Sequence, residues 1–262
     1  MPAPTIPNPA PDTRHFTIKG LDLSTMSVLE IGPLTRPIVA RGAAREVAYM
    51  DHVSTDGLRK KYATERSINI DDIVEVDFVA ADGRIAANLN GMTFDLIVAA
   101  HVIEHVPDFI GWIREAARVL NPGGVLALTV PDKRYSLDVL RRLSPKQEVE
   151  QAYREVATRP GLWNVADFFL NVVKADTTAL WHDPESANDF APHHTVEHLE
   201  RAISDWRKGG YVDCHAWVFT PDHFKNLIEW ARDKFSLPVK PLRFLDTQPG
   251  NLEFYVQLEK IG

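Results

Sequence analysis

The sequence predicts an α/β fold. The expected sheet has seven strands and is mostly parallel, with one antiparallel edge strand and a helical insertion after strand five. Three observations carry this reading. Apolar runs at 28–33, 47–52, 73–78, 94–101 and 123–130 recur with helical or irregular spacers between them, as strands buried on both faces do. Acids stand at or near the ends of the first three runs, at Glu30, Asp51 and Asp77. They mark the carboxyl edge, where open α/β sheets bind ligands. Finally, the strand pattern stops between residues 133 and 214 and gives way to consecutive helical segments.

Taken in order, residues 1–11 alternate proline with small residues and lack a charged-then-apolar leader pattern. Residues 1–22 are expected to form an extended arm. The α/β core is expected over 23–132. Pro33 and Pro37 bracket Leu34-Thr35-Arg36, and Gly42 follows. A short irregular connection is therefore expected where a long first helix usually stands. Ser54 is placed to cap a helix through 58–62. Asp82-Gly83 marks a turn, with a short helix at 85–89. Pro107-Asp108 opens a strongly amphipathic helix carrying Phe109, Ile110, Trp112, Ile113 and Ala116 on its apolar side, and Asn121-Pro122-Gly123-Gly124 ends it. Within 133–214, helices are expected at 136–143, 145–158, 164–173 and 195–208. Residues 215–262 return to the core. Thr220-Pro221 starts a helix there with the cap residue and the proline in their favoured places. The runs at 242–245 and 252–258 flank Gln248-Pro249-Gly250-Asn251 and are expected to pair antiparallel.

Composition narrows the function. The 262 residues are 45% hydrophobic and 25% charged, ordinary for a globular chain with a full core. A net charge of −7 offers no electrostatic footprint for nucleic acid, and none is expected as a partner. Cys214 is the only cysteine, which excludes an intrachain disulfide and a cysteine zinc cage. It reads as a small buried hydrophobe. No run of eighteen apolar residues occurs, so no stable membrane insertion is expected, and a cytoplasmic setting is. The sequence does not fix an oligomeric state.

The strand ends carry the chemistry. A glycine at Gly32 lets the backbone approach a ligand closely. A pyrophosphate cradle, however, needs several free N–H groups at a helix start, and Pro33 and Pro37 remove two of them. This disfavours NAD and FAD and leaves room for a nucleoside without phosphates. Asp51 stands where a carboxylate accepts hydrogen bonds from a ribose diol. Asp77-Phe78 pairs an acceptor with an aromatic face suited to an adenine.

Glu30-Ile31-Gly32, Asp51, Asp77-Phe78, the string His101-Val102-Ile103-Glu104-His105-Val106-Pro107-Asp108 and Asn121-Pro122-Gly123-Gly124 together resemble class I S-adenosylmethionine (SAM)-dependent methyltransferases. Val130-Pro131-Asp132-Lys133-Arg134-Tyr135 and the later histidine-rich segment are similar to a bacterial subgroup associated with sugar and polysaccharide modification. The chain departs from the usual pattern in having one glycine where the family carries three. The resemblance implies a Rossmann-like methyltransferase fold and SAM as cofactor, with S-adenosylhomocysteine as product. It implies that Glu30, Gly32 and Pro33 lie near the methionine part of SAM. Asp51 and His52 would hold the ribose, Asp77 and Phe78 the adenine, and Ala100 and His101 the sulfonium side. The implied reaction is O-methylation of a sugar, glycan or other small acceptor, in which positioning dominates.

An alcohol acceptor must lose a proton, and histidine is the natural base near neutral pH. The candidate catalytic residues are His105, His193 and His194. Lys133, Arg134, Tyr135 and His198 are candidate acceptor-binding groups, the basic pair for an anionic sugar. His101, Glu104 and His105 stand as H-x-x-E-H, which a distant histidine could complete into a metal site; the expectation is nevertheless a centre without metal. Two rival readings are an NAD(P)-dependent reductase or epimerase and a non-catalytic module of the same fold. The first is opposed by the missing phosphate-binding glycines and by the absence of a Tyr-x-x-x-Lys pair after strand five.

Overall fold

The structure, a computed structural model, describes residues 13–262. The strands are β1 (Ser27–Ile31), β2 (Glu46–Asp51), β3 (Phe78–Val79), β4 (Phe94–Ala100), β5 (Leu120–Pro131), β6 (Val239–Leu245) and β7 (Glu253–Lys260). They form one sheet in the order β3-β2-β1-β4-β5-β7-β6. β1 to β5 run parallel. β7 runs antiparallel to both of its neighbours. The antiparallel strand therefore lies one place in from the edge, and β6 is outermost.

Alternation along the central strands sends side chains into two cores. Leu29, Ile31, Ile97, Ala99, Leu126 and Leu128 face one side. Helix α1 (Thr55–Lys61) follows β2; helix α2 (Phe109–Val119) and helix α7 (Pro221–Phe235) pack on this side of the sheet. Val28, Val47, Leu96, Val98, Val125 and Ala127 face the other. Among the described residues no α-helix packs on that side; Ile18, Leu21, Leu23, Ile38 and Val39 cover it. The loop after β1 is irregular, as the proline spacing predicted.

Residues 1–12 of the expected arm lie outside the described residues. Residues 13–22 are not extended. They make a 3₁₀ turn at Arg14–Phe16 and lie against the sheet. The Thr17 hydroxyl is 2.6 Å from that of Thr129. Gln257 donates to the carbonyls of Thr17 and Lys19.

Two expected elements differ. Strand three was expected over 73–78, yet β3 holds only two residues. Val74 N–H goes to the Leu34 carbonyl and Val76 N–H to the Thr55 hydroxyl, which draws this run off the β2 ladder. Residues 136–143 form turns instead of a helix. The Leu137 carbonyl accepts from Val173, and the Asp138 carboxylate is held by Arg141 and His215. Four helices follow: α3 (Lys146–Glu155), α4 (Leu162–Asn171), α5 (Thr177–His182) and α6 (Val196–Arg207). α4 and α6 share a small core of Val165, Ala202, Val212 and Cys214. Burial pushes the Cys214 thiol up to about 12, an inert thiol that packs as a hydrophobe.

Candidate active site

The carboxyl ends of β1, β2 and β4 converge. Gly32 has φ +71°, and a Cβ there would lie 3.0 Å from Val102 Cγ2. A side chain there would be strained and would press on Val102, and the glycine lets the β1 loop lie against the loop after β4. Glu30 is buried and points into the protein. Its two oxygens accept the N–H groups of Ile38 at 2.7 Å and Val39 at 2.9 Å. Burial outweighs these bonds and pushes the carboxyl up to about 7. Glu30 thus pins the irregular loop that replaces a helix. Pro33 lies in that loop, and its carbonyl accepts from Arg36 N–H.

Asp51 closes β2 and is 7% exposed. One oxygen accepts from the backbone N–H of His52 at 2.7 Å and lies 2.5 Å from its Nδ1. The second oxygen makes no hydrogen bond with the described residues, which leaves a carboxylate acceptor at the rim. Asp77 is placed differently. β3 begins one residue after it, and its carboxylate accepts from Tyr49 N–H and Arg41, both at 2.7 Å. It supports the strand side of the Arg41–Tyr49 stack, two residues short of the level of Asp51. Phe78 packs against the helix-covered core.

Ala100 ends β4, and His101 follows with φ +53°, a costly conformation for a side-chain-bearing residue. Its Nε2 is 2.7 Å from Glu253 and its Nδ1 3.5 Å from Glu104. Burial disfavours its charge, but the two carboxylates overturn that and hold the imidazole protonated. Glu104 is fully buried, and neither of its oxygens has a hydrogen-bond partner. Burial raises this carboxyl, yet the surrounding imidazoles hold it below the usual range.

The segment after α6 completes this loop. Tyr211 donates to the carbonyl of His105, and Trp217 donates from its backbone to Glu104 and from its indole to Val106. Val212 and Cys214 enter the α4–α6 core, while Asp213 and His215 reach the loop. Asp213 lies 2.9 Å from His105 Nδ1. Burial opposes its charge, but His105 holds the Asp213 carboxyl at about 2. His215 Nδ1 lies 2.6 Å from Asp138, and the rings of His105 and His215 meet edge-on at 4.8 Å. Lys61 links the two rims, 3.3 Å from His52 Nε2 and 3.7 Å from Asp213.

The three candidate catalytic histidines therefore separate. His105 stands in the rim cluster. His194 packs on Phe169 at 4.4 Å and on Phe168 at 5.5 Å, and Phe168 in turn lies 5.6 Å from His215. His193 sits beside His194, and its N–H bonds to the Val172 carbonyl. His198 closes a capping box with Thr195 at the start of α6. The expected acceptor-binding groups already have partners. Lys133 donates to the Val139 carbonyl, Arg134 pairs with Asp132 and Asp246, and Tyr135 stacks on Trp181 at 3.8 Å. Sequence reasoning missed Asp213 and Asp138. The signal for the first is the alternation Val212-Asp213-Cys214-His215, which places an acid and a histidine on the face opposite two apolar residues.

Gly32 and Asp51 suit SAM: a glycine turn that packs closely on Val102 and a rim carboxylate with an open oxygen, beside a proline-interrupted loop unsuited to phosphates. The model of a methyltransferase domain matches residues 9–231. No curated protein matches the sequence. Among solved structures, a putative Zn-dependent alcohol dehydrogenase of Rhodobacter sphaeroides is 14% identical with TM-score 0.51, covering 97% of this chain and 92% of that one. The CcbJ methyltransferase of Streptomyces caelestis is 14% identical with TM-score 0.48, over 97% and 91%. A SAM-dependent methyltransferase of Mesorhizobium loti is 13% identical with TM-score 0.47, over 94% and 95%. Of these, the likeness at TM-score 0.51 bears on fold alone. The family match spans most of the chain, over the same strand ends that build the rim, and the chain belongs to the methyltransferase-domain family.

Proposed function

We propose that this methyltransferase transfers the methyl group of SAM to a hydroxyl of a sugar-like or other small acceptor held against the His105–His215 wall. The observation that carries the reading is the relay Asp51–His52–Lys61–Asp213–His105, which joins the nucleoside end of the rim to the imidazole pair. Bound SAM supplies a methyl already activated on sulfur. The residues of the chain orient and exclude water. The open oxygen of Asp51 takes the ribose hydroxyls, Gly32 admits the backbone side of the cofactor, and His101 forms the wall at the end of β4. The hydroxyl that attacks lies against the imidazoles of His105 and His215, where its proton is removed. His193, His194 and His198 lie beyond Phe168 and shape the acceptor end of the cleft. The helical stretch 133–214 is the acceptor-selecting unit.

Supporting this choice, the rim holds imidazoles and carboxylates suited to polar acceptors. Tyr211, 54% exposed above the loop, offers a face on which a sugar ring stacks. Calorimetry with SAM, S-adenosylhomocysteine and NAD, followed by methyl transfer to a panel of hydroxyl and amine acceptors, tests the proposal. Asp51→Ala is expected to weaken homocysteine-nucleoside binding at least about 10-fold, since charge-assisted bonds contribute about 1.5–3 kcal/mol. Methylation of amines alone, or NAD binding in place of the nucleoside, overturns it.

A further inference from the structure

The most conspicuous unresolved chemistry is the buried Glu104. A fully buried carboxylate normally meets hydrogen-bond donors, and leaving one without them is costly. His101 offers charge at 3.5 Å from Oε1 and makes no hydrogen bond with it, and Oε2 has no donor either. Around this carboxylate stand two histidines arranged alike. His105 has Nδ1 on Asp213, and His215 has Nδ1 on Asp138. In both, Nε2 is the nitrogen left over. A carboxylate on Nδ1 fixes the ring and raises the basicity of Nε2, which is the usual outer shell of a metal-binding histidine. The potential ligand atoms of Glu104, His105 and His215 all lie within 4.8 Å of one another.

We propose that Glu104, His105 and His215 hold a divalent transition-metal ion of the Zn²⁺ or Mn²⁺ type. The proposal rests on the function argued above and adds the agent that activates the acceptor. Two imidazoles with one carboxylate favour such an ion over Mg²⁺, which prefers oxygen ligands and keeps its water. Tetrahedral binding at about 2.0–2.1 Å sets ligand atoms roughly 3.4 Å apart, so the three groups, now within 4.8 Å of one another, would draw together around an ion. Three protein ligands leave a coordination position open, the arrangement of catalytic rather than structural sites. Trp217 and Tyr211 clamp the carbonyls of residues 104–106, which fixes the loop before any ion arrives.

With an ion bound, His105 would serve as a ligand, and the cation would ease loss of the acceptor proton by lowering the pKa of the hydroxyl. The O–H proton passes to bulk water. An oxygen lone pair forms the new C–O bond to the methyl carbon, and the S–CH₃ bond breaks with its electron pair returning to sulfur. No oxidant or further reactant enters. The sequence showed H-x-x-E-H without a partner. The structure places His215 and the two outer acids beside it, and the proposal departs from the expected centre without metal on that ground.

The test uses the full chain stripped with chelator and dialysed, then titrated with Zn²⁺ by calorimetry and with Co²⁺ by visible absorption. One ion per chain is expected, with d–d bands of a four- or five-coordinate site. Glu104→Gln and His215→Ala are expected to weaken binding at least about 10-fold, as loss of a ligand or its orienting partner does. His182→Ala, an exposed histidine elsewhere, is expected to bind as the parent does. S-adenosylhomocysteine binding by each variant reports that the fold persists. Absence of a stoichiometric ion in the parent overturns the proposal, as does undiminished binding in both ligand variants. If the stripped protein binds the nucleoside and methylates hydroxyls undiminished, the metal inference fails while the proposed function stands. If the ion binds but no hydroxyl is methylated, the reverse holds.

Discussion

Glu30 illustrates how a residue of the family signature serves the fold first. Its oxygens accept the N–H groups of Ile38 and Val39 and so organise the loop after β1. Glu30→Ala leaves two N–H groups without an acceptor, at a cost of about 1–3 kcal/mol where water cannot reach them. Denaturant unfolding and nucleoside affinity are both expected to fall. The pH dependence has a definite sign. The folded state raises this carboxyl from 4.5 to about 7, so folding favours its protonated form. That stabilisation is complete below the unfolded value and is lost as pH rises through about 7. Glu30→Gln is expected to flatten this part of the stability profile, measured by urea midpoints across pH 4–8. At this scale the sequence revealed which acids sit near strand ends. It did not reveal which carboxylates are already engaged: Asp51 keeps an open oxygen, whereas Asp77 pairs with Arg41, a residue 36 positions away.

At the scale of elements, α2 begins where Pro107-Asp108 placed it because Asp108 Oδ1 accepts from Gly111 N–H at 2.8 Å. A Cβ on Gly111 would fall 2.1 Å from Asp108 Oδ2, so the cap and the glycine are a matched pair. Asp108→Ala is expected to cost about 1 kcal/mol in thermal unfolding, and Asp108→Asn much less. The turns at 136–143 depend on a different device. Arg141 is 1% exposed in its side chain and pairs with Asp138 and Asp167. Arg141→Leu leaves two acids facing each other, and a loss of about 3–5 kcal/mol is expected from chemical denaturation. Local periodicity located α2, α3, α6 and α7. It misread 136–143 because an apolar spacing looks helical until distant partners, Val173 on the Leu137 carbonyl and Asp167 and His215 on the side chains, hold the segment in turns.

Across the whole molecule the mostly parallel sheet follows from the alternation of strands and helices, and seven strands were legible, though not their order. The position of β7 inside β6 was not, since the turn cluster shows that the two pair and says nothing of which one meets β5. The cover of the second sheet face was equally hidden. It comes from residues 13–26 and 33–44, held in part by Gln257, which is 1% exposed and donates to Thr17 and Lys19. Gln257→Leu leaves those carbonyls unpaired. A loss of about 1–3 kcal/mol is expected, along with faster proteolysis near residues 13–22 in limited digestion. No helix among the described residues is long and apolar enough to cross a membrane.

The stretch 211–217 belongs to two places at once. Val212 and Cys214 are anchored in the α4–α6 pair, and Asp213 and His215 reach the loop after β4. Reshaping the helical region by transplanting it from a relative therefore has a correct seam. A graft that stops at residue 210 leaves foreign helices pulling on native chemistry, whereas one that continues through Trp217 carries its own alignment along. Under the proposed function, selectivity and reactivity would in this way be inherited together, on a ribbon of seven residues.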